Sequence, residues 1–193
     1  MIAIIFGPPG SGKGTQAARI EAELGLHHLS TGDILRSEVR SGTPLGLEVG
    51  RIIAAGDLVP DELIVDVVRK RLPAAEEGAG VLLDGFPRTL RQALALDAML
   101  RDEGHRVTFV IALRVPEEVL VRRLLHRAEL EGRTDDKREA IAERMREYRN
   151  LTAVVLGHYR KQRVPIHDID GTGSPDEVFD QIRSAISGIS TPL

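Results

Sequence analysis

Apolar and polar positions follow two rhythms along this chain. Short unbroken apolar runs stand at residues 2–6, 81–83, 107–113 and 164–169, with a weaker one at 27–29. Runs this brief, bounded by turn residues, predict strands buried on both faces. Between them apolar residues recur at helical spacing over 14–24, 34–41, 45–54, 61–72, 90–101, 117–128, 137–159 and 175–186. Leu90, Ala93 and Leu94, followed by Leu96 and Leu100, show the spacing of a helix with one apolar face. Strands alternating with helices predict an α/β fold, a three-layer sandwich around a parallel sheet of five strands.

Two stretches break the alternation. Residues 30–59 carry two short helical patterns and no strand, and residues 126–136 form a polar, Arg-rich connection. Insertions bearing Arg, Thr and Asp on such a scaffold are candidates for flaps that grip a ligand, against the plainer reading of solvated loops. Residues 191–193 read as a loose tail. No repeat, low-complexity run or linker divides the chain, so 1–193 reads as a single domain.

Composition narrows the function classes. At 193 residues, 42% hydrophobic and 28% charged, the chain has the make-up of one soluble globular domain with a real core. A net charge of −3 and 3% aromatic content argue against a nucleic-acid partner. No apolar run approaches the ~20 residues of a membrane helix. The first run stops at Gly7, too short for a signal peptide, so the cytoplasm is the expected location. Without cysteine there is no disulfide and no thiolate-bound zinc. His27, His28, His105, His126, His158 and His167 show no ligand spacing and read as surface or core residues.

The sharpest local signal is Gly7-Pro8-Pro9-Gly10-Ser11-Gly12-Lys13-Gly14-Thr15, set between the first strand and the first helix. Glycines let the backbone fold around an anion, and the helix begins with its free N–H groups aimed at it. Lys13 adds a mobile charge where terminal phosphates would lie; it is one of only 4 Lys beside 22 Arg. The general P-loop pattern has Ser or Thr after the lysine to hold Mg²⁺, whereas this chain has Gly14 there and Thr15 next.

Further along, the run Val81-Leu82-Leu83-Asp84-Gly85-Phe86-Pro87-Arg88 reads as a buried strand ending in an acid, then a turn. Asp84 at a strand end beside the P-loop suits a water-mediated Mg²⁺ anchor, although an Asp-Gly pair is also a common turn. Arg88 falls at the crevice edge where open α/β sheets bind ligands. Arg123 and Arg127 share a helix face, and no acid lies three or four residues before Arg127. With Arg133 and Arg144 they bracket the Asp135-Asp136 loop, a pattern that favours a clamp on several phosphates over a solvated basic face.

Over nearly its whole length the chain resembles an adenylate kinase of the short-lid type. The matching strings are GPPGSGKGTQ (7–16), STGDILR (30–36), GDLVPDE (56–62), DGFPRTLRQA (84–93), RRLLHR (122–127), GRTDD (132–136), ERMREY (143–148) and GSPDEVF (173–179). Gly14 after the lysine is that family's own form. The resemblance implies a core of 1–29, 60–125 and 137–193, an AMP-binding flap over 30–59 and a lid over 126–136. It implies that Gly10, Ser11, Gly12, Lys13, Gly14 and Thr15 wrap the phosphates of ATP. Arg123 and Arg127 then reach ATP from the lid base, and Gly173 meets its adenine through the backbone. AMP falls to Thr31, Arg36, Asp57, Leu58, Val59, the segment Gly85, Phe86, Pro87 and Arg88, and Gln92, with Arg133 and Arg144 closing on the phosphates. Lys13, Arg88, Arg123, Arg133 and Arg144 are the implied catalytic set, Mg²⁺ is the implied cofactor through Asp84, and no zinc is expected in so short a lid.

Thr31 and Gln92 are the adenine-type choices where related pyrimidine nucleotide kinases usually carry Ala and Asn. The resemblance thus implies ATP and AMP or ADP as partners of a monomer. A UMP/CMP or broad-specificity kinase is the rival among enzymes. An ATP-dependent conformational switch is the rival outside them, and the second set of AMP-site residues speaks against it.

Overall fold

The computed structural model describes residues 1–75, 80–131 and 136–188. Five strands, β1 (Ile2–Phe6), β2 (His27–Ser30), β3 (Val81–Asp84), β4 (Val107–Arg114) and β5 (Ile166–Asp170), form one sheet in the order β2-β3-β1-β4-β5. Every pairing is parallel. The helices are α1 (Lys13–Leu24), α2 (Thr31–Arg40), α3 (Pro44–Ala55), α4 (Asp61–Ala75), α5 (Leu90–Asp102), α6 (Glu117–Glu131), α7 (Arg138–Glu147), α8 (Ala153–Lys161) and α9 (Pro175–Ile186). Among the described residues no helix is long and apolar enough to cross a membrane.

The two-residue period of a strand builds the three layers. Ile2, Ile4 and Phe6 of β1 join Leu83, Val110 and Ala112 under α4, α5 and α8, through Val68, Leu96, Leu100, Val155 and Tyr159. The alternate residues Ala3 and Ile5 join Leu82, Phe109 and Ile111 on the other face, covered by Ala17 and Ile20 of α1 and Val178, Phe179 and Ile182 of α9. With all of these apolar positions buried, the continuous apolar runs follow from a sheet that meets helices on both sides.

Three boundaries differ from the sequence expectation for local reasons. Helix α2 begins at Thr31 because Ser30 caps it, its hydroxyl accepting from Asp33 N at 3.2 Å. The expected helix over 137–159 is interrupted by a π turn at Tyr148–Thr152, which separates α7 from α8. A single π turn widens a helix without Gly or Pro, so no breaker residue announces it. Strand β5 starts at Ile166, after a turn in which Arg163 takes φ +60°.

Between β2 and α4 the chain leaves the sheet to form the pair α2 and α3. They pack so closely that a Cβ on Gly46 would overlap the backbone carbonyl of Glu38. Gly56 ends α3 in the left-handed region at φ +86°, and a Cβ there would lie 2.6 Å from Ala140 O of α7. The tail expected at 191–193 lies outside the described residues.

Candidate functional site

The P-loop and the segments after β2, β3 and β5 leave the carboxyl ends of parallel strands, where open α/β sheets bind ligands. The first follows β1. Gly10 and Gly12 take φ +81° and +93°, and Gly12 is itself the N-cap of α1. Ser11 N donates to Pro8 O at 3.1 Å and closes the turn. The first turn of α1 carries no acidic residue, so its N–H groups face a site of positive potential.

Lys13 Nζ folds back onto this loop, donating to Gly7 O at 2.8 Å and Pro8 O at 3.1 Å. Burial lowers its pKa to about 8, with Asp84 opposing and the charges of Arg88, Arg144 and Arg127 adding to the fall.

A cavity of about 580 Å³ opens between the α2–α3 pair and β3. It is lined by Thr31, Arg36, Asp57, Leu58, Val59, Gly85, Arg88, Gln92 and Arg144. Gly85 at φ +79° leaves room that a side chain would take: a Cβ would sit 2.9 Å from Thr31 Oγ1 and 3.1 Å from Arg88 Nη2. Arg88 Nε donates to Gly85 O at 2.8 Å, and Arg36 Nη2 donates to Asp33 at 2.6 Å. Burial works against the Asp33 carboxylate, yet the hydrogen bonds from Arg36 and Ser30 prevail and lower its pKa.

An adjoining cavity of about 530 Å³ brings Lys13, Phe86 and Pro87 together with Arg88 and Arg144. Arg88, Arg144, Gly56, Leu58 and Gly85 line both spaces, so they form one crevice running from the flap to the lysine.

A third cavity, about 760 Å³, lies on the other side of the P-loop. Gly10, Ser11, Gly12, Thr15 and Gln16 form one wall; Arg123, Arg127, Gly171 and Gly173 form the other. Arg123 donates to Gly171 O at 2.9 Å and Thr172 O at 3.2 Å, tying α6 to the loop after β5. Arg127 binds Asp136 through Nε at 2.6 Å and Nη2 at 2.9 Å, and Arg144 reaches the same carboxylate at 2.5 Å. Asp136 has no exposed surface, so one buried acid orients two arginines from different helices.

Asp84 ends β3 with its side chain nearly buried, and a Cβ on Gly14 would come to 4.0 Å from its Oδ2. His28 Nε2 lies 3.2 Å from the same oxygen. Burial disfavours the charged imidazole, but the hydrogen bond and charge of Asp84, with Glu21 and Asp33 beyond, outweigh it and raise the His28 pKa. Among the described residues no group of three or more His, Asp or Glu could cage a metal. A lone carboxylate beside a phosphate cradle fits Mg²⁺, which keeps its waters and takes phosphate oxygens as ligands.

Of the ATP-, AMP- and metal-site residues named from the sequence, Arg133 lies outside the described residues. All the others stand around these three cavities or, for Gly14 and Asp84, immediately beside them. Four contributors escaped sequence reasoning. Asp136, nine residues after Arg127, is its bidentate partner. His28 is not a bland histidine but a neighbour of Asp84. Gln16 donates to Pro175 O at 3.0 Å across the third cavity, and Asp61 binds Gln92 and Thr89. Only Asp136 left a local trace, in the acid pair between the arginines.

The adenylate kinase family model matches residues 5–164. An adenylate kinase of Thermus thermophilus is 53% identical over 185 residues, covering 95% of this chain and 96% of that protein. The adenylate kinase of Xylella fastidiosa is 45% identical over 186 residues, covering 96% and 99% of the two chains. The same identity and coverage hold for the adenylate kinase of Xanthomonas campestris pv. campestris. With a P-loop facing two arginine-lined spaces, on a parallel sheet, and this much sequence shared with those enzymes, the chain belongs to the adenylate kinase family.

Proposed function

We propose that this chain catalyses MgATP + AMP ⇌ MgADP + ADP. The observation that carries the reading is the pair of spaces on either side of the P-loop: the flap crevice, which reaches Lys13, Arg88 and Arg144, and the third cavity, whose Arg127 shares Asp136 with Arg144. ATP takes the third cavity, with its phosphates on Gly10–Thr15 and its adenine against Gly173. AMP takes the flap cavity, with its phosphate on Arg36 and Arg88, its base on Gln92, and Thr31, Asp57, Leu58, Val59 and Gly85–Pro87 around it.

In the reaction an oxygen of the AMP phosphate attacks the γ-phosphorus, and the bond to the β–γ bridging oxygen breaks to release ADP. The nucleophile is already anionic, so no general base is required. The transition state spreads charge over the equatorial oxygens, and catalysis is positioning plus cationic stabilisation. Lys13, Arg88, Arg123, Arg127 and Arg144 supply that charge, with Arg133 proposed as a further donor from the lid. Asp84 would hold Mg²⁺ through water, and the ion would neutralise charge on the ATP phosphates. Closure of the flap (30–59) and the lid (126–136) excludes water, which would otherwise hydrolyse ATP; lid closure in adenylate kinase is the standard example of this device.

The cytoplasm, where ATP and AMP turn over, is the proposed setting, and a monomer is the proposed form because one chain lines both spaces. The test is ADP formation from ATP with and without AMP, together with nucleotide titration. Acceptor-dependent turnover and two nucleotides per chain are expected. Hydrolysis indifferent to AMP, or one nucleotide per chain at saturation, would overturn the reading.

A further inference from the structure

Gln92 is 2% exposed, and its amide is held at both ends. Its Nε2 donates to Asp61 Oδ1 at 2.7 Å, and its Oε1 accepts from Arg88 N at 2.7 Å. The other Asp61 oxygen accepts from Thr89 Oγ1 at 3.0 Å, and that hydroxyl in turn accepts from Gln92 N at 3.1 Å. A free glutamine amide turns over readily, exchanging donor for acceptor. Here a half-turn would set the Gln92 NH₂ against the Arg88 N–H and its carbonyl against the Asp61 carboxylate. Donor would face donor and acceptor would face acceptor at hydrogen-bond distance, so one orientation alone is allowed.

We propose that Asp61 is a specificity-determining positioning residue, which locks the Gln92 amide in the orientation that accepts adenine and rejects guanine. This rests on the reading of Gln92 as the contact to the acceptor base. An amide has two hydrogens on nitrogen and two lone pairs on oxygen. One of each is spent on Asp61 and Arg88, which leaves one N–H and one lone pair for the cavity that Gln92 lines. Adenine offers a ring-nitrogen acceptor beside an amine donor, and the fixed amide matches both. Guanine offers a ring N–H beside a carbonyl, the reverse pattern, which only the flipped amide could meet. The same logic sets cytosine with adenine and uracil with guanine, so the lock sorts bases by edge pattern, and cavity size then sorts purine from pyrimidine.

Asp61 also sits in the first turn of α4, where an acid favours the helix dipole. The test separates the two roles. Asparagine at this position can accept from Nε2 or donate to Oε1, so Asp61→Asn removes the acceptor–acceptor clash of the flipped amide and leaves only the Arg88 N–H opposing it. The kcat/KM values of Asp61→Asn and Gln92→Leu are measured with AMP, GMP, CMP and UMP at saturating ATP, with thermal midpoints alongside. The expected result is an AMP:GMP ratio at least tenfold lower in Asp61→Asn, driven by a rise for GMP, and a parallel fall in CMP:UMP. A purely structural role predicts equal losses for every acceptor with the ratios unmoved, and that outcome sinks the proposal. If Gln92→Leu lowers AMP kcat/KM tenfold or more while Asp61→Asn leaves the ratios unchanged, the lock fails and the base contact stands. If Gln92→Leu leaves AMP kcat/KM within twofold, the base contact fails and the lock with it.

Discussion

The proton on Lys13 gives a pH signature that separates substrate binding from chemistry. An ordinary lysine at 10.5 stays charged throughout the working range, but this one falls to about 8 in the free chain. Its Nζ donates to two neutral carbonyls, and three arginines stand within electrostatic reach. ATP phosphates beside Nζ favour the charged form and raise the pKa again, so above pH 8 nucleotide binding must draw in a proton. At pH 9 only about one-tenth of the free chain carries the charge, and each further pH unit reduces it about tenfold. The kcat/KM for ATP, which reports the free enzyme, should therefore fall with a limiting slope of −1 above pH 8. The kcat at saturation, which reports the ternary complex, should hold to higher pH. Initial rates at saturating AMP from pH 6.5 to 10 measure both. Calorimetry at pH 8.5 in two buffers of different ionisation enthalpy measures the proton directly. The linkage to stability has the opposite sign. Between about 8 and 10.5 the folded chain has lost this proton and the unfolded chain still binds it, so Lys13 makes the free protein more stable as pH rises. A kcat/KM that stays flat to pH 9.5, with no proton taken up, would falsify the depressed pKa and the cationic surroundings invoked for it.

Three substitutions probe the rest of the site. Arg88→Lys keeps the charge but loses the planar grip now seated on Gly85 O, and kcat should drop about a hundredfold with an unchanged melting temperature. Normal kinetics would remove Arg88 from the phosphate path. Asp136→Asn takes the charge from a fully buried acid between Arg127 and Arg144; unfolding in denaturant should show a loss of about 3 kcal/mol, and a neutral result would mean the triad contributes nothing net. Gly46→Ala drives a methyl into Glu38 O, a backbone atom that cannot step aside, so the α2–α3 pair should separate. AMP affinity should fall at least tenfold while ATP affinity persists, and equal loss of both nucleotides would deny the flap its separate role.

What the sequence disclosed and what it withheld divide by distance along the chain. The P-loop was legible because its parts are contiguous: strand, glycines at positive φ, lysine, helix start. The strands were legible because a sheet covered on both faces needs continuous apolar runs. Strand order was not, since nothing local says that β3 rather than β2 pairs with β1. The side chains that orient the site fared worst. Asp61 and Gln92 are separated by 31 positions, His28 and Asp84 by 56, and Gln16 and Pro175 by 159. No periodicity spans such intervals. The π turn at Tyr148–Thr152 was hidden for another reason: it depends on packing, not on a breaker residue.

The partners of the cations explain how so basic a crevice can let its products leave. Lys13 rests on the Gly7 and Pro8 carbonyls, Arg36 on Asp33, Arg123 on the Gly171 and Thr172 carbonyls, and Arg127 with Arg144 on Asp136. A phosphate that enters on the proposed reading meets cations already engaged, so binding exchanges one acceptor for another. The net gain is the difference between the two, far smaller than the gross attraction of these cations for a polyphosphate. Tight uniform binding of substrates and products would not raise kcat, whereas contacts completed only around the transferring group would. On that reading the internal acceptors weaken the ground-state complexes, and the equatorial oxygens of the transition state are the ligand that claims Lys13, Arg88, Arg123, Arg127 and Arg144 together.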